Sequence, residues 1–184
     1  NMDEIAQKND ELAEAQYREW LATSVATTAP TTRPTETTDP DNPDEPTTPV
    51  APSDSYWMMP LPYYVYMSSP FGFRTSPTAG ASSYHQGVDL AAPANTPVYA
   101  TRSGIVTANT YSGTAGNYIT INHGDGFSSI YMHLASSAVS SGQAVSAGQL
   151  IGTVGRTGIA TGYHLHFGIA YNGAYVNPCA YVSL

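Results

Sequence analysis

The chain has 184 residues, of which 41% are hydrophobic, and a formal net charge of −8. This length is enough for one ordinary domain with attached segments. Residues 1–54 contain twelve acidic and three basic residues, whereas residues 55–184 contain two acidic and three basic ones. The C-terminal part is therefore close to neutral, and three basic residues give no electrostatic footprint for nucleic acid or an anionic lipid surface.

Residues 1–22 predict a helical segment. This stretch is rich in Ala, Glu and Gln and contains neither Gly nor Pro. Its apolar residues recur at steps of three and four, which is typical of an amphipathic helix. The segment is consistent with the end of a coiled coil, although it holds fewer than four heptads. It is also the part of the chain through which we expect a protein partner or self-association.

Residues 23–54 form a linker in which Thr, Pro and acidic residues dominate. Proline fixes the backbone and removes hydrogen-bond donors, and the near absence of large apolar residues leaves nothing to bury in a core. We therefore expect an extended, self-repelling spacer. Nowhere in the sequence does an apolar run approach the roughly 20 residues that a membrane-spanning helix needs.

Residues 55–184 predict an all-β, mostly antiparallel domain of sandwich-like type with glycine-rich loops. Short runs of β-branched and aromatic residues alternate with glycine-containing turns, and no segment has a convincing helical period. Asp125-Gly126 and Asn172-Gly173 are strong hairpin signals. A further pair of strands is expected around Gly148. Cys179 is the only cysteine, which excludes an internal disulfide, and we expect it to be buried and inert.

Chemistry in this domain has to depend on histidine, because Asp89 and Asp125 are its only acidic residues. His164 and His166 lie two apart in a predicted strand, so both side chains should project from one face. His133 ends another predicted strand, and Gly87 permits a turn that brings His85 and Asp89 toward one point. Imidazole and carboxylate groups at this spacing are typical zinc ligands. The alternative is a set of histidines hydrogen-bonded to the backbone. His123 precedes a tight turn, and we expect it to face solvent or to bond to a nearby carbonyl.

Several motifs in unbroken order between about residues 68 and 182 resemble the lysostaphin-type, or LytM-like, zinc metallopeptidases. The motifs include Ser69–Arg74 (SPFGFR), His85–Pro93 (HQGVDLAAP), Asn122–Gly124 (NHG), Tyr131–Leu134 (YMHL), Gly148–Gly152 (GQLIG) and Gly162–Phe167 (GYHLHF). The chain departs from many relatives at Gly168, where a Glu is frequent, and at Asn95, where a Gly is common. Neither position is a ligand in that family. The polar loop from Arg74 to Tyr84 should form a wall of the substrate groove and tune specificity.

The resemblance implies one zinc ion per chain, with His85, Asp89 and His166 as its ligands. It also implies that His133 and His164 are catalytic residues acting on the water and on the transition state. Three protein ligands leave a fourth position open, and in the absence of a Glu one of these two histidines must take the proton. The expected substrate is a peptide of bacterial peptidoglycan, which indicates an extracytoplasmic location, either secreted or at the cell surface.

Two other functions remain open from the sequence. The first is a non-catalytic regulator or activator of other cell-wall hydrolases, since some members of this family have lost zinc ligands. The second is a wall-binding module in which a fully coordinated zinc ion is purely structural. This chain has the expected His or Asp residue at all five positions that the family uses, which favours an active peptidase over both alternatives.

Overall fold

A computed structural model describes residues 56–184, and these residues form an almost entirely β structure. The predicted all-β, antiparallel class is confirmed. Among the described residues no helix is long and apolar enough to span a membrane. One short 3-10 helix, Pro178–Ala180, follows the strands. The strands are β1 (Tyr66–Ser69), β2 (Gly72–Phe73), β3 (Tyr84–His85), β4 (Val88–Ala91), β5 (Pro97–Tyr99), β6 (Gly104–Ser112), β7 (Gly116–Asn122), β8 (Phe127–Ser137), β9 (Ala144–Val145), β10 (Leu150–Val154), β11 (His164–Tyr171) and β12 (Ala174–Val176).

One large sheet contains ten of these strands, and its main path runs in the order β1-β4-β11-β8-β7-β6-β9. Strand β12 pairs with β11, and β10 pairs with both β5 and β8. Strands β2 and β3 form a separate two-stranded ribbon that leads into β4. Every pairing is antiparallel. The long central strands β8 and β11 therefore lie side by side in the middle of the sheet.

The alternation of side chains along β11 separates the core from the site. Leu165, Phe167 and Ile169 are fully buried in the hydrophobic core. His164 and His166 project from the opposite face, because successive side chains of a strand point to opposite sides. Burying a large apolar side chain of this kind contributes roughly 1.5–3 kcal/mol. The core thus fixes the strand whose other face carries the two histidines.

Both predicted hairpins are confirmed. Asp125-Gly126 connects β7 with β8, and Asn172-Gly173 connects β11 with β12. Positive φ angles of 88° at Gly126, 48° at Asn172 and 82° at Gly173 explain the residue types at these turns. Asn95, which stands where relatives often have Gly, also has a positive φ of 64°. Asn is one of the few other residues that adopt this conformation readily, so the departure is conservative.

Three expectations need correction. The strands on either side of Gly148 exist, but β9 pairs with β6 and β10 pairs with β5 and β8, so they are not partners. Cys179 is exposed, contrary to the prediction that it is buried, because it lies in the 3-10 helix at the surface. The strands β1 to β4 were not predicted, since they are short and two of them contain only two residues. The helix of residues 1–22 and the linker of residues 23–54 lie outside the described residues.

The turn between β6 and β7 packs tightly against the segment around Thr157. A methyl group at Gly116 would collide with the backbone of Thr157, and Gly116 has a φ of 64°. Gly113 belongs to the same turn, but a methyl group there would meet nothing within 4 Å. Gly116 is therefore required by both conformation and space, whereas Gly113 is not.

We predict that Gly116→Ala lowers the free energy of unfolding by about 1–3 kcal/mol, because a side chain there is strained and also displaces Thr157. Gly113→Ala is the matched control and should change stability by less than about 0.5 kcal/mol. Urea unfolding of both variants measures the difference. Equal stability of the two variants would contradict the role assigned to the Gly116 contact.

Candidate metal centre and catalytic cleft

The five histidine and aspartate positions implied by the family resemblance meet in one cleft of about 300 Å³. His85 ends β3, Asp89 lies in β4, and His164 and His166 lie in β11. Strands β4 and β11 are neighbours, and His166 stands directly opposite Asp89 in their register. His133 comes from β8 on the other side of β11. The large sheet and the β2–β3 ribbon therefore together bring into one cleft every residue that the sequence predicted for the site.

Three side chains form a compact group of donor atoms. Nε2 of His85 lies 3.0 Å from Oδ1 of Asp89 and 2.9 Å from Nδ1 of His166. Nδ1 of His166 lies 2.9 Å from the same carboxylate oxygen. These three residues are buried, and within the described part of the chain they are the group that could hold a metal ion. The triangle is small enough for one ion with bonds of about 2.0–2.2 Å to reach all three atoms.

Backbone carbonyls orient the histidines of the cleft. Nδ1 of His85 donates to the carbonyl of Pro70 at 2.8 Å, which leaves Nε2 for the donor group. Nδ1 of His164 lies 2.9 Å from the carbonyl of Gly162. An imidazole whose Nδ1–H donates to a carbonyl presents Nε2 as a lone-pair donor, and this is the usual arrangement around a metal. The donor set of two imidazoles and one carboxylate thus fits zinc in type, with Nε2 of His85 and Nδ1 of His166 as the nitrogen atoms.

Asp89 is held as a carboxylate. Burial raises the pKa of Asp89, but hydrogen bonds from His166 and His85, together with the charges of the nearby imidazoles, outweigh this effect and bring the pKa well below its usual range. Arg74 also donates from its guanidinium to Oδ2 of Asp89 at 3.0 Å. One carboxylate oxygen therefore faces the donor group while the other is neutralised by Arg74.

His133 reaches the cleft because of an unusual backbone conformation. Its φ is 64°, although the residue lies inside the long strand β8. The register between β7 and β8 shifts at this point, which is the signature of a β-bulge. Regular alternation would send Met132 and His133 to opposite faces, yet both line the cleft. Strain of this kind in a non-glycine residue is characteristic of functional sites.

The imidazole of His133 is suited to accept a proton. Burial lowers its pKa to about 4, with a further contribution from the neighbouring His164. The ring is therefore neutral at pH 7. Nδ1 of His133 donates to the carbonyl of Thr157 at 2.8 Å, which leaves Nε2 as the basic atom. The rings of His133 and His164 lie 4.7 Å apart between centroids, so the two histidines can act on the same group.

His123 and Asp125 take no part in the cleft, and neither is among its lining residues. Nδ1 of His123 donates to the carbonyl of Ser103 at 2.8 Å, and Nε2 lies 3.0 Å from the hydroxyl of Ser129. Asp125 forms an ion pair with Arg102 at 2.8 Å. His123 is therefore bonded to a backbone carbonyl, but to one 20 residues away in the sequence, and the expectation that it could face solvent is wrong because the residue is buried.

The sequence did not predict three contacts in the site, namely those of Arg74 with Asp89, of Gly87 with His166 and of Thr157 with His133. Arg74 contacts Asp89 directly. A methyl group at Gly87 would lie 2.7 Å from Nε2 of His166, so glycine is needed there for close packing against this imidazole. The signal for Arg74 was its place in the Ser69–Arg74 motif. The contacts of Gly87 and Thr157 arise from residues far apart in the chain and had no local signal.

Two loops form the walls of the cleft. The predicted wall from Arg74 to Tyr84 is confirmed, since Pro77, Thr78, Ala81 and Ser82 line the cleft. The opposite wall comes from the loop between β10 and β11, represented by Ile159 and Thr161, and from the β6–β7 turn. Apart from Arg74 and the site residues themselves, the lining carries no ionisable group except the phenol of Tyr84. Such walls suit a peptide with small, uncharged side chains.

Comparison with protein families matches residues 83–178, just over half of the chain, to peptidase family M23. The chain is 42% identical over 115 residues to the DD-carboxypeptidase/endopeptidase Mpg of Neisseria meningitidis, and this alignment covers 62% of the chain and 26% of Mpg. The chain thus spans about a quarter of the length of the curated relatives it matches.

Two solved structures resemble the described domain. A zinc-containing peptidase from Vibrio cholerae has a TM-score of 0.59 and 36% identity, with 66% of this chain and 37% of that chain covered. The catalytic domain of lysostaphin from Staphylococcus simulans has a TM-score of 0.58 and 33% identity, with 62% of this chain and 90% of that chain covered. The similarity to lysostaphin therefore extends over nearly all of a catalytic domain.

We predict that Arg74→Ala weakens the binding of zinc by about 10–100-fold, because Asp89 loses the partner that orients its carboxylate. Arg156→Ala is the matched control, since Arg156 is exposed and makes only a long contact with a carbonyl at 3.5 Å. Competition with a metal chelator measures both affinities. Zinc affinity in Arg74→Ala equal to that of the control would show that this ion pair does not support the metal centre.

Proposed function

The chain belongs to peptidase family M23, and on that premise we propose that it is a zinc-dependent endopeptidase that hydrolyses peptide bonds in peptidoglycan cross-links or stem peptides. The resemblance to lysostaphin-type peptidases noted in the sequence agrees with this membership. The observation that carries the proposal is the convergence of His85, Asp89 and His166 beside two further histidines in one open cleft.

In this proposal His85, Asp89 and His166 hold one zinc ion per chain. The supporting observations are the short separations of their donor atoms, the burial of all three residues and the ionised state of Asp89. Three converging protein ligands also favour a catalytic site over a structural one, because structural zinc sites are closed by four protein ligands. When bound, zinc would polarise the scissile carbonyl and make a water molecule acidic enough to attack at neutral pH.

His133 and His164 supply the proton transfer and the stabilisation of charge. Nε2 of neutral His133 accepts the proton of the attacking water and returns it to the leaving amine. Nε2 of His164 lies 3.7 Å from Oδ1 of Asp89, close enough to the donor group to face the carbonyl oxygen of the substrate. Because Nδ1 of His164 is bonded to the carbonyl of Gly162, only the doubly protonated imidazolium can also donate from Nε2, and in that form it would stabilise the negative charge that develops on this oxygen.

The substrate assignment rests on two supports. The relative Mpg is named as a DD-carboxypeptidase/endopeptidase, and the cleft is lined mainly by small or uncharged side chains. A substrate in the cell wall implies an extracytoplasmic location for the domain. A non-catalytic regulator of other cell-wall hydrolases is the alternative. The two are separated by digesting purified peptidoglycan of several cross-link types and identifying new termini by mass spectrometry.

We predict that His85→Ala and Asp89→Asn lose most of their bound zinc, because each removes one of three converging donor atoms. Asp125→Asn is the matched control, since Asp125 is the other acidic residue of the described domain and lies outside the cleft. Metal analysis of the purified variants measures the zinc content. Full occupancy in both His85→Ala and Asp89→Asn would refute the ligand assignment.

We predict that His133→Ala and His164→Ala retain zinc but lose turnover by on the order of 10²–10³-fold, the usual effect of removing a general base or an oxyanion donor. Zinc content, measured in the same preparations, is the control for an intact site. Near wild-type turnover in either variant would remove that histidine from the mechanism. Loss of zinc in His164→Ala would mean that His164, and not His166, is the ligand of the pair.

A further inference from the structure

The two walls of the cleft touch at one point. Gly80, in the loop from Arg74 to Tyr84, lies so close to Ile159 that a methyl group added to Gly80 would be 2.9 Å from Cδ1 of Ile159. Ile159 itself lines the cleft, as do Thr78 and Ala81 on either side of Gly80. The Gly80–Ile159 contact therefore connects opposite walls at the edge of the same cleft that contains the donor group.

The wall that carries Ile159 is firmly held by the rest of the sheet. The amide of Ile159 donates to the carbonyl of Thr114 at 2.9 Å. The hydroxyl of Thr157 donates to the carbonyl of Leu134 at 2.9 Å and accepts from the amide of Asn117 at 3.0 Å. Thr157 also accepts the hydrogen bond from His133. Ile159 thus stands on the same backbone segment that orients the proposed general base.

The other wall, the loop from Arg74 to Tyr84, is held mainly by hydrogen bonds within the loop itself. The amide of Arg74 donates to the carbonyl of Ser83 at 2.9 Å, which closes the base of the loop. The hydroxyl of Ser76 lies 2.8 Å from the carbonyls of both Thr78 and Ala81. These bonds shape the tip around Gly80, whose φ of 85° suits glycine. The loop therefore holds a compact form that presents Gly80 to Ile159.

We propose that Ile159 is a specificity-determining residue, which together with Gly80 bridges the cleft and favours an unbranched stem peptide over a cross-linked one. Cleavage within an unbranched stem releases a short linear piece. Cleavage of a cross-link releases a second stem peptide, which the bridged cleft accommodates poorly. This inference rests on the proposed peptidase function. Ile159 is the bulkiest apolar side chain on its wall and is only half-buried, so its truncation removes the bridge while leaving the core intact.

The test compares Ile159→Ala with wild type on two substrates from one peptidoglycan, an uncross-linked stem peptide and the cross-linked dimer. We expect the ratio of kcat/KM for the dimer to that for the linear peptide to rise by on the order of 10-fold in Ile159→Ala. Ile159→Val should give an intermediate rise. Leu150→Ala is the matched control, because Leu150 is an exposed aliphatic residue outside the cleft, and its ratio should not change.

Binding of the same two peptides, measured by calorimetry, separates this inference from the proposed function. Turnover of both peptides with an unchanged ratio in Ile159→Ala would overturn the role of Ile159 and leave the peptidase intact. A second outcome is that wild type binds the linear peptide more tightly than the dimer, that Ile159→Ala loses this preference, and that wild type hydrolyses neither peptide. This outcome would support the bridge and refute the peptidase function. Binding of neither peptide would overturn both.

Discussion

The site depends on the pairing of two neighbouring strands in one register. Asp89 of β4 stands opposite His166 of β11, and this pairing places a carboxylate oxygen 2.9 Å from an imidazole nitrogen. A shift by one residue would turn His166 into the core and Phe167 into the cleft, because side chains alternate along a strand. The buried residues Leu165 and Phe167 oppose such a shift. The same apolar contacts that stabilise the sheet therefore also fix the donor group.

The charge states of Asp89 and His133 follow from this arrangement of the strands. Outside the cleft, the described domain has one further acidic residue, Asp125, and that residue is paired with Arg102. Within the cleft, Asp89 remains ionised because imidazoles and Arg74 surround it. His133 remains neutral because burial and the neighbouring His164 disfavour its charge. An ionised carboxylate and a neutral imidazole are thus maintained in the same cleft, which agrees with the roles proposed for Asp89 and His133.

The match to family M23 identifies the domain, but the specificity of a peptidase is set by the residues that surround its catalytic groups. In this chain two loops flank the cleft, and different sets of hydrogen bonds hold them in place. One is bonded to the sheet through Thr157 and Ile159, and the other closes on itself through Ser76 and the base at Arg74. Because Thr157 contacts His133 as well, the wall and the proposed base share one backbone segment. We therefore expect a change in this wall to alter the orientation of His133 as well.

The sequence by itself determined the all-β class, both hairpins and all five residues that meet in the cleft, because strand alternation, turn chemistry and motif spacing are local properties of the chain. Tertiary structure alone decided the positive φ that turns His133 into the cleft and the contact of Arg74 with Asp89. It also decided the exposure of Cys179 and the partners of the strands around Gly148. These features depend on which distant segments pack together, and no local pattern of residue types encodes such pairings.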